Sequence, residues 1–559
     1  MKPSAEIAAS LLSQHGIRHV VLSPGSRNAP LMLALQEEPE LKLTDVIDER
    51  AAGFVALGLA RQSRTPVALV CTSGTALLNY GPATAEAFYQ GIPLIILSAD
   101  RPMQWIDQDD SQTIRQVGAL GNVVKGSFDI PDFTPDDAEM RWYASRTVNE
   151  AILLSTSRKP GPVHVNLQYN APLVTEEKLP FPPHTVQMLQ GNNELDIATS
   201  RRLGERLPYK KVLLVAGYLS PSDSMTRILD RFHTLQNVAI LPEALANLHL
   251  KELGGIDKIL SGLDSATLQS LLPDVVITFG GALLSRKVKE WLRSAPSSME
   301  HWSLDQADSL ADCFRHLTLK ITANPVQFFS RLGRSMSKMS IQSDYAAQWK
   351  KAERQAAASA EKFMLSAPWC DLYAHRLVFN CIPKDWSVFC SNGTSVRYAE
   401  LFASPMQQQL LCNRGTSGIE GCTATAVGSS LAYSGTTLLI TGDMSLRHDL
   451  GGLSLRCIPD RFKVIVFRNG GGDIFRFIQT TSAVKGREEH FTCKELCNDS
   501  VESLAKAFGF NYLYADSTFS LKITIDSLLH SQGKTLLEID TSIVDNASIL
   551  ADFLSRYKN

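Results

Sequence analysis

Two short segments hold the side chains best suited to chemistry. Thr441-Gly442-Asp443-Met444-Ser445 closes one apolar strand, and Arg468-Asn469-Gly470-Gly471-Gly472-Asp473 closes the next. Asn469 follows Asp443 by 26 residues, room for about one helix and one strand. In a parallel sheet both strand ends then face the same crevice, which is where such sheets bind ligands. A carboxylate, an amide oxygen and a backbone carbonyl made accessible by glycines form a hard-oxygen set that suits Mg²⁺, with a diphosphate completing the shell. The same residues also make an ordinary surface turn, since Asp and Gly are common turn formers. Spacing alone leaves both readings open.

The elements that must position these residues repeat along the chain. Ile7, Leu11 and Leu12 share one helical face that stops at Gly16; HVVLS then reads as a strand and Pro24-Gly25-Ser26 as a turn. PVALVC, a helix through ALLNYGPATAEAFYQ, PLIIL and PVHVNL continue the alternation to about residue 168. The Pro-rich Leu179-Pro180-Phe181-Pro182-Pro183 reads as an extended linker. A second block has strands KVLLVAG and VVITFGG separated by helical material, and the polar stretch 335–362 suits an exposed connecting helix. SVFCSN, TTLLITGD, KVIVFRN and TLLEID are the strands of a third block. Short apolar strands alternating with helices predict an α/β protein of three domains, each with a mostly parallel sheet flanked by helices, over 1–180, 195–335 and 365–559. No residue-level repeat relates the first and third blocks.

Composition narrows the function classes. A chain of 559 residues with 44% hydrophobic and 20% charged content is long enough for several cores. Its 55 basic and 57 acidic residues leave a net charge of −2, so no global basic field draws it to nucleic acid or an anionic membrane, and any anion site must be local. No apolar run approaches the roughly 20 residues a bilayer span needs, and MKPSAEIAASLLSQHG lacks a basic start followed by an apolar core, so a cytoplasmic protein without membrane insertion is expected. The ten cysteines form no disulfide or zinc pattern: Cys493 and Cys497 lack a second pair nearby, and Cys71 in VALVCT reads as a small buried hydrophobe. The central block has no G-x-G-x-x-G, which argues against flavin or NAD.

A Gly-Asp followed one helix and one strand later by Asn resembles the signature of thiamine-diphosphate-dependent enzymes, whose three-domain plan is also similar. The match departs twice: Met444 stands where many members have Gly, and Arg468 replaces the first Asn of the usual pair. The pyruvate decarboxylase and acetolactate synthase branches therefore fit less well. LSPGSRNAPL, IDERAAGFVALGLA, TSGTALLNYGPA, SADRP, DSQTIRQ, NRGTSGIEG and TGDMSLRHDL, in order from residue 21 to about 480, resemble instead a branch that decarboxylates 2-oxoglutarate and joins the remaining four carbons to isochorismate in menaquinone biosynthesis.

That resemblance implies a catalytic Glu49, which read alone is a first-turn acid favoured by the helix dipole. In the family such a glutamate hydrogen-bonds the aminopyrimidine ring. It implies cofactor contacts from Ser73, Gly74, Asn79, Ile419, Gly442, Asp443, Met444, Ser445, Asn469, Ile474 and Phe475, with Ile419 wedged between the cofactor rings. The implied ligands of Mg²⁺ or Mn²⁺ are Asp443, Asn469 and the Gly471 carbonyl, and His448 is read as structural. Both substrates are polyanions, which guanidinium groups bind bidentately. Arg397 and Arg414 are assigned to the succinyl carboxylate, Arg27, Arg101 and Gln112 to isochorismate, and Ser26 and the pair Arg286 and Lys287 to further substrate contacts. Any one of these arginines alone reads as a surface charge. The resemblance also implies a homodimer or dimer of dimers with its sites at the subunit interface, Glu49 and Asp443 acting in trans. The alternatives are another thiamine-dependent 2-oxo acid decarboxylase or carboligase, a noncatalytic cofactor-binding subunit, and a Rossmann-type oxidoreductase.

Overall fold

The computed structural model describes residues 1–176, 178–189, 191, 194–250, 255–307, 309–337, 342–403 and 409–555. The chain divides into two compact units, one of Met1–Gln190, Asn413–Thr437 and Leu446–Phe462, the other of Gly191–Cys412, Leu438–Ser445 and Lys463–Asn559. Among the described residues no helix is long and apolar enough to cross a membrane.

The first unit is built on a six-stranded sheet of β1 (His19–Leu22), β2 (Lys42–Asp45), β3 (Val67–Cys71), β4 (Leu94–Asp100), β5 (Ser127–Ile130) and β6 (Val163–Gln168), in the order β2-β1-β3-β4-β6-β5. Every pairing is parallel. β3, β4 and β6 are buried along their whole length, as strands covered by helices on both faces must be. Helices Pro3–Gln14 and Ala138–Thr156 pack Ile7, Leu11, Leu12, Val148 and Ile152 into the core on one side. Elsewhere in this unit helix Glu49–Ser63 meets helix Cys422–Ala432, a segment the sequence places in the third block. The two backbones nearly touch: a Cβ on Gly58 would lie 2.1 Å from the Thr425 carbonyl oxygen, and one on Gly428 would lie 2.1 Å from that of Val55. Only glycine permits this crossing.

The second unit carries two parallel sheets. One consists of β7 (Val212–Ala216), β8 (Val238–Pro242), β9 (Val275–Phe279), β10 (Glu300–Leu304) and β11 (Leu317–Ile321), in the order β11-β10-β9-β7-β8. The other consists of β12 (Ser387–Cys390), β13 (Gln409–Leu411), β14 (Thr437–Gly442), β15 (Phe462–Arg468), β16 (Asn511–Ala515) and β17 (Thr535–Asp540), in the order β13-β12-β14-β15-β17-β16. This repeats the strand order of the first sheet position for position, a kinship the residues themselves do not show.

The expected α/β class with three helix-flanked parallel sheets is what the structure has. Two stretches differ from expectation. The material between KVLLVAG and VVITFGG is not purely helical, since it contains β8, whose VAILP lies at the sheet edge yet is fully buried. The polar helix is Tyr345–Ser366; Tyr345, Trp349, Ala352, Ala356, Ala360 and Met364 bury one face of it, and Trp349 meets Trp291 edge-on at 5.8 Å. Residues 338–341 of that stretch lie outside the described residues.

Candidate cofactor and substrate site

In open parallel sheets ligands bind beyond the C-terminal strand ends, where the strand order reverses direction. In the third sheet that point lies between β12 and β14. Asp443 follows β14 directly and is 2% exposed. Its Oδ1 accepts from the Met444 amide at 2.7 Å, and its Oδ2 from the amides of Asn469 at 3.2 Å and Gly471 at 3.0 Å. Burial raises the Asp443 carboxyl above its ordinary value, and these amides oppose the rise. So the two segments singled out from the sequence do meet, and the carboxylate is aimed by the turn after β15. That turn needs glycine: Gly471 has φ +99°, and a Cβ there would lie 2.0 Å from the Thr492 carbonyl oxygen.

Asn469 is 7% exposed. Its Nδ2 donates to Asp371 Oδ2 at 2.6 Å, whereas its Oδ1 is buried and takes no hydrogen bond among the described residues. A buried amide oxygen with no donor, on a residue whose backbone amide meets a buried carboxylate, is what a hard cation would satisfy, so the residues present fit Mg²⁺. Arg468 does not compete for that place. Its Nε pairs with Glu538 at 2.6 Å, its Nη2 with Asp540, and its Nη1 donates to the Asn498 carbonyl at 2.9 Å, which ties it to β17. Ser445 is buried beside Asp443, and Met444 and Phe475 both crowd Gly472, with Ile474 half-buried next to them.

Arg397 lies in helix Ser395–Phe402, just after β12, and its Nη1 donates to the Gly393 carbonyl. Lys287 donates to Ser261 Oγ, and the charges of Lys287 and Arg397 both act on buried Asp257, whose pKa is raised by burial and lowered by those two cations and the Ser285 hydroxyl. Arg286 is not brought to this cluster: it pairs with Glu290 at 2.6 Å on an exposed helix face.

In the first unit the reversal lies between β1 and β3. The exposed Ser26 and half-buried Arg27 follow β1; the Arg27 amide donates to Thr72 Oγ1 at 3.3 Å and its Nη1 to the Tyr169 carbonyl at 2.9 Å. Arg101 follows β4, pairing with Asp110 at 2.8 Å and donating to the Ser111 carbonyl at 3.1 Å. Burial and then the Arg101 charge lower the Arg27 pKa, so two guanidiniums share one locality. Gln112 packs over Gly74, whose amide donates to Gln116 Oε1 at 2.6 Å. Ser73 is buried, while Asn79 is exposed at the end of helix Ala76–Asn79.

Glu49 opens helix Glu49–Ser63, whose N-cap Asp48 accepts from the amides of Arg50 at 2.9 Å and Ala51 at 3.4 Å. Its charge is felt by the buried Cys71 thiol at the end of β3, which burial first and Glu49 second push up. The Asn413–Gly421 turn, with half-buried Arg414 and Ile419, is clamped by Glu86. That carboxylate, 1% exposed, accepts from the Gly415 amide, the Thr416 amide and the Thr416 hydroxyl, each at 2.6 Å.

Residues 4–119 match the family model of the thiamine pyrophosphate enzyme N-terminal TPP binding domain. Three curated relatives are each named 2-succinyl-5-enolpyruvyl-6-hydroxy-3-cyclohexene-1-carboxylate synthase. That of Porphyromonas gingivalis is 38% identical over 99% of this chain and 97% of its own length. That of Cytophaga hutchinsonii is 34% identical over 97% of each, and that of Flavobacterium psychrophilum 32% over 99% and 98%. The chain belongs to this synthase family. It is a thiamine-pyrophosphate-dependent transferase.

Several residues that shape this candidate site escape a reading of the sequence. Glu86 sits mid-helix in TAEAFYQ, Gln116 ends the quoted DSQTIRQ, and Asp371 opens helix Asp371–Cys381 like any first-turn acid. Each acts through a partner far along the chain, so no local spacing marks it.

Proposed function

We propose that the protein decarboxylates 2-oxoglutarate and joins the remaining four carbons to isochorismate, forming 2-succinyl-5-enolpyruvyl-6-hydroxy-3-cyclohexene-1-carboxylate for menaquinone synthesis. The observation that carries this is the Asp443–Asn469 crevice with its donor-free amide oxygen, in a chain of that synthase family. Asp443, Asn469 Oδ1 and the Gly471 carbonyl would hold Mg²⁺ or Mn²⁺, and Ser445 would donate to the diphosphate. Bound thiamine diphosphate supplies the electron sink for loss of the 2-oxo acid carboxylate.

The chain's own residues do the rest. With thiamine diphosphate bound, Glu49 would hold a proton against the pyrimidine nitrogen, Ser73, Gly74 and Asn79 would line the pyrimidine side, and Ile419 would pack against the cofactor. Ile474 and Phe475 with Met444 make an apolar wall that keeps water from the reacting carbon. Arg397 and Arg414 bind the succinyl carboxylate, with Lys287 beside Arg397; Arg27, Arg101, Ser26 and Gln112 bind isochorismate. Arg101 exchanges Asp110 for a substrate carboxylate, and Arg286 adds charge only at long range. The working form is a homodimer or dimer of dimers in which Glu49 of one chain serves the Asp443 of another. We place it in the cytoplasm, where free thiols such as Cys71 and Cys390 stay reduced.

A spectrophotometric assay of isochorismate consumption tests this reading, with thiamine diphosphate, Mg²⁺ and 2-oxoglutarate each omitted in turn. Every omission should abolish the signal. CO₂ release from 2-oxoglutarate at full speed without isochorismate consumption would keep the cofactor reading and discard the acceptor.

A further inference from the structure

Asn469 can serve a cation only through Oδ1, yet an Asn side chain reverses its amide by a half-turn about χ2, a broad and shallow torsion. Reversed, it would turn two N–H donors toward the cation. In this protein the amide has different surroundings on its two sides. Nδ2 lies 2.6 Å from Asp371 Oδ2, Oδ1 is buried with no donor among the described residues, and the backbone amide of the same residue meets Asp443 Oδ2 at 3.2 Å. A carboxylate only accepts when ionised, so the reversed amide would press oxygen against oxygen.

Asp371 is itself locked. It is 0% exposed; its Oδ1 accepts from the Thr541 hydroxyl, and its backbone amide donates to Asn546 Oδ1 at 2.7 Å. Asn546 Nδ2 in turn donates to the Thr541 carbonyl at 3.0 Å. Both oxygens of Asp371 are thus engaged by side-chain donors, which leaves it facing Asn469 and not the crevice. The lock is assembled from three distant parts of the chain: the start of helix Asp371–Cys381, the end of β15 and the turn after β17.

We propose that Asp371 is a positioning residue that fixes the Asn469 amide with Oδ1 toward the cation. It rests on the reading of Asp443 and Asn469 as cation ligands. Partners that orient a ligand in this way commonly set metal affinity by about 10–100-fold.

The test is calorimetric titration of Mg²⁺ into the full-length protein saturated with thiamine diphosphate. Asp371→Asn keeps an acceptor for Asn469 Nδ2 and can donate to Thr541, so its Mg²⁺ affinity should stay within about threefold of wild type. Asp371→Ala should bind Mg²⁺ about 10–100-fold more weakly with an unchanged far-ultraviolet circular dichroism spectrum. If the alanine variant does not fold, Thr541→Val takes its place, and a weakening of about threefold or more is expected because Asp371 loses one of its two anchors. Folded Asp371→Ala, or Thr541→Val in its stead, binding as tightly as wild type would overturn the positioning role while leaving the ligand assignment intact. A wild-type protein that takes up no Mg²⁺ would remove the ligand assignment and this role with it.

Discussion

The first and third sheets run through the same strand order, β2-β1-β3-β4-β6-β5 against β13-β12-β14-β15-β17-β16, and share an arginine after their first strand, yet the strand ends that follow differ in chemistry. After β1 and β12 come Arg27 and Arg397; after β3 and β14 come the neutral Ser73-Gly74 turn and the acidic Asp443. After β4 the chain offers a cation, Arg101, where after β15 it offers the amide of Asn469. The strand next to the far edge differs as well. β6 buries a hydrogen-bonded ladder in which Asn166 donates to Asp100 and Asp129, Gln168 donates to Asp129, and His164 meets Ser98 at 2.7 Å. β17 instead buries Glu538 and sets it against Arg468. Topology places the crevice, and the residue types at the strand ends decide whether it holds a metal or an organic anion.

Removing one residue from each sheet should break the two halves differently. Asp443→Ala should abolish Mg²⁺-dependent cofactor uptake and turnover together. Glu49→Gln should leave Mg²⁺ and cofactor affinity near wild type while turnover falls about 10²–10⁴-fold, the usual reach of a positioned proton-transfer group. Equal loss of cofactor affinity in both variants would erase the division of labour.

Arg414→Ala and Glu86→Gln sharpen it. The first should lose isochorismate-dependent product while cofactor binding survives, and unchanged turnover would take Arg414 out of the pocket. The second weakens the clamp on the Arg414 turn and should raise KM for 2-oxoglutarate by about tenfold, from about 1–1.5 kcal/mol of lost charge-assisted hydrogen bonding. A lower kcat at constant KM would contradict that role.

Stability measured by urea unfolding compares the two inner ladders. Arg468→Ala leaves Glu538 buried without its cation and should cost about 3–5 kcal/mol, whereas Asn166→Ala, which removes an uncharged donor from Asp100 and Asp129, should cost about 1–3 kcal/mol. Each sheet also hides a neutral imidazole. Burial lowers His164 to about 4 and His375, stacked on Phe467 at 3.5 Å, to about 3. The unfolded chain takes up these protons near pH 6.5 and the folded chain does not, so both contribute stability above pH 6.5 that is lost as pH falls toward 4. His375→Phe should flatten the slope of stability against pH across that window, the smallest of these effects; an unchanged slope would show that His375 titrates alike in both states.

Much of the interior was legible in the sequence because buried parallel strands read as unbroken apolar runs: VALVC, LIIL, VLLVA and KVIVF all became central strands. The edge strands escaped. Lys42–Asp45 and Asn511–Ala515 alternate polar and apolar residues over too few positions to stand out, and Gln409–Leu411 is three residues long. Glu300–Leu304 is interior yet also escaped, because His301 and Ser303 interrupt its apolar pattern. At the site, Asp443 and Asn469 were visible by spacing and their meeting is now explicit. The clamp of Glu86 on the turn at Gly415, 329 residues away, and that of Asp371 on Asn469, 98 residues away, depend on tertiary placement that no motif records.

The most direct test of one site built from two chains is activity in a mixed dimer. Co-expressing Glu49→Gln with Asp443→Ala chains gives hybrid dimers in which, if the residues act in trans, one site is doubly altered and the other intact. Neither variant alone should consume isochorismate, and the co-expressed mixture should recover about a quarter of wild-type activity by random pairing in a two-fold dimer. A mixture as inactive as its components would contradict the account, since residues acting within one chain leave every site with one defect.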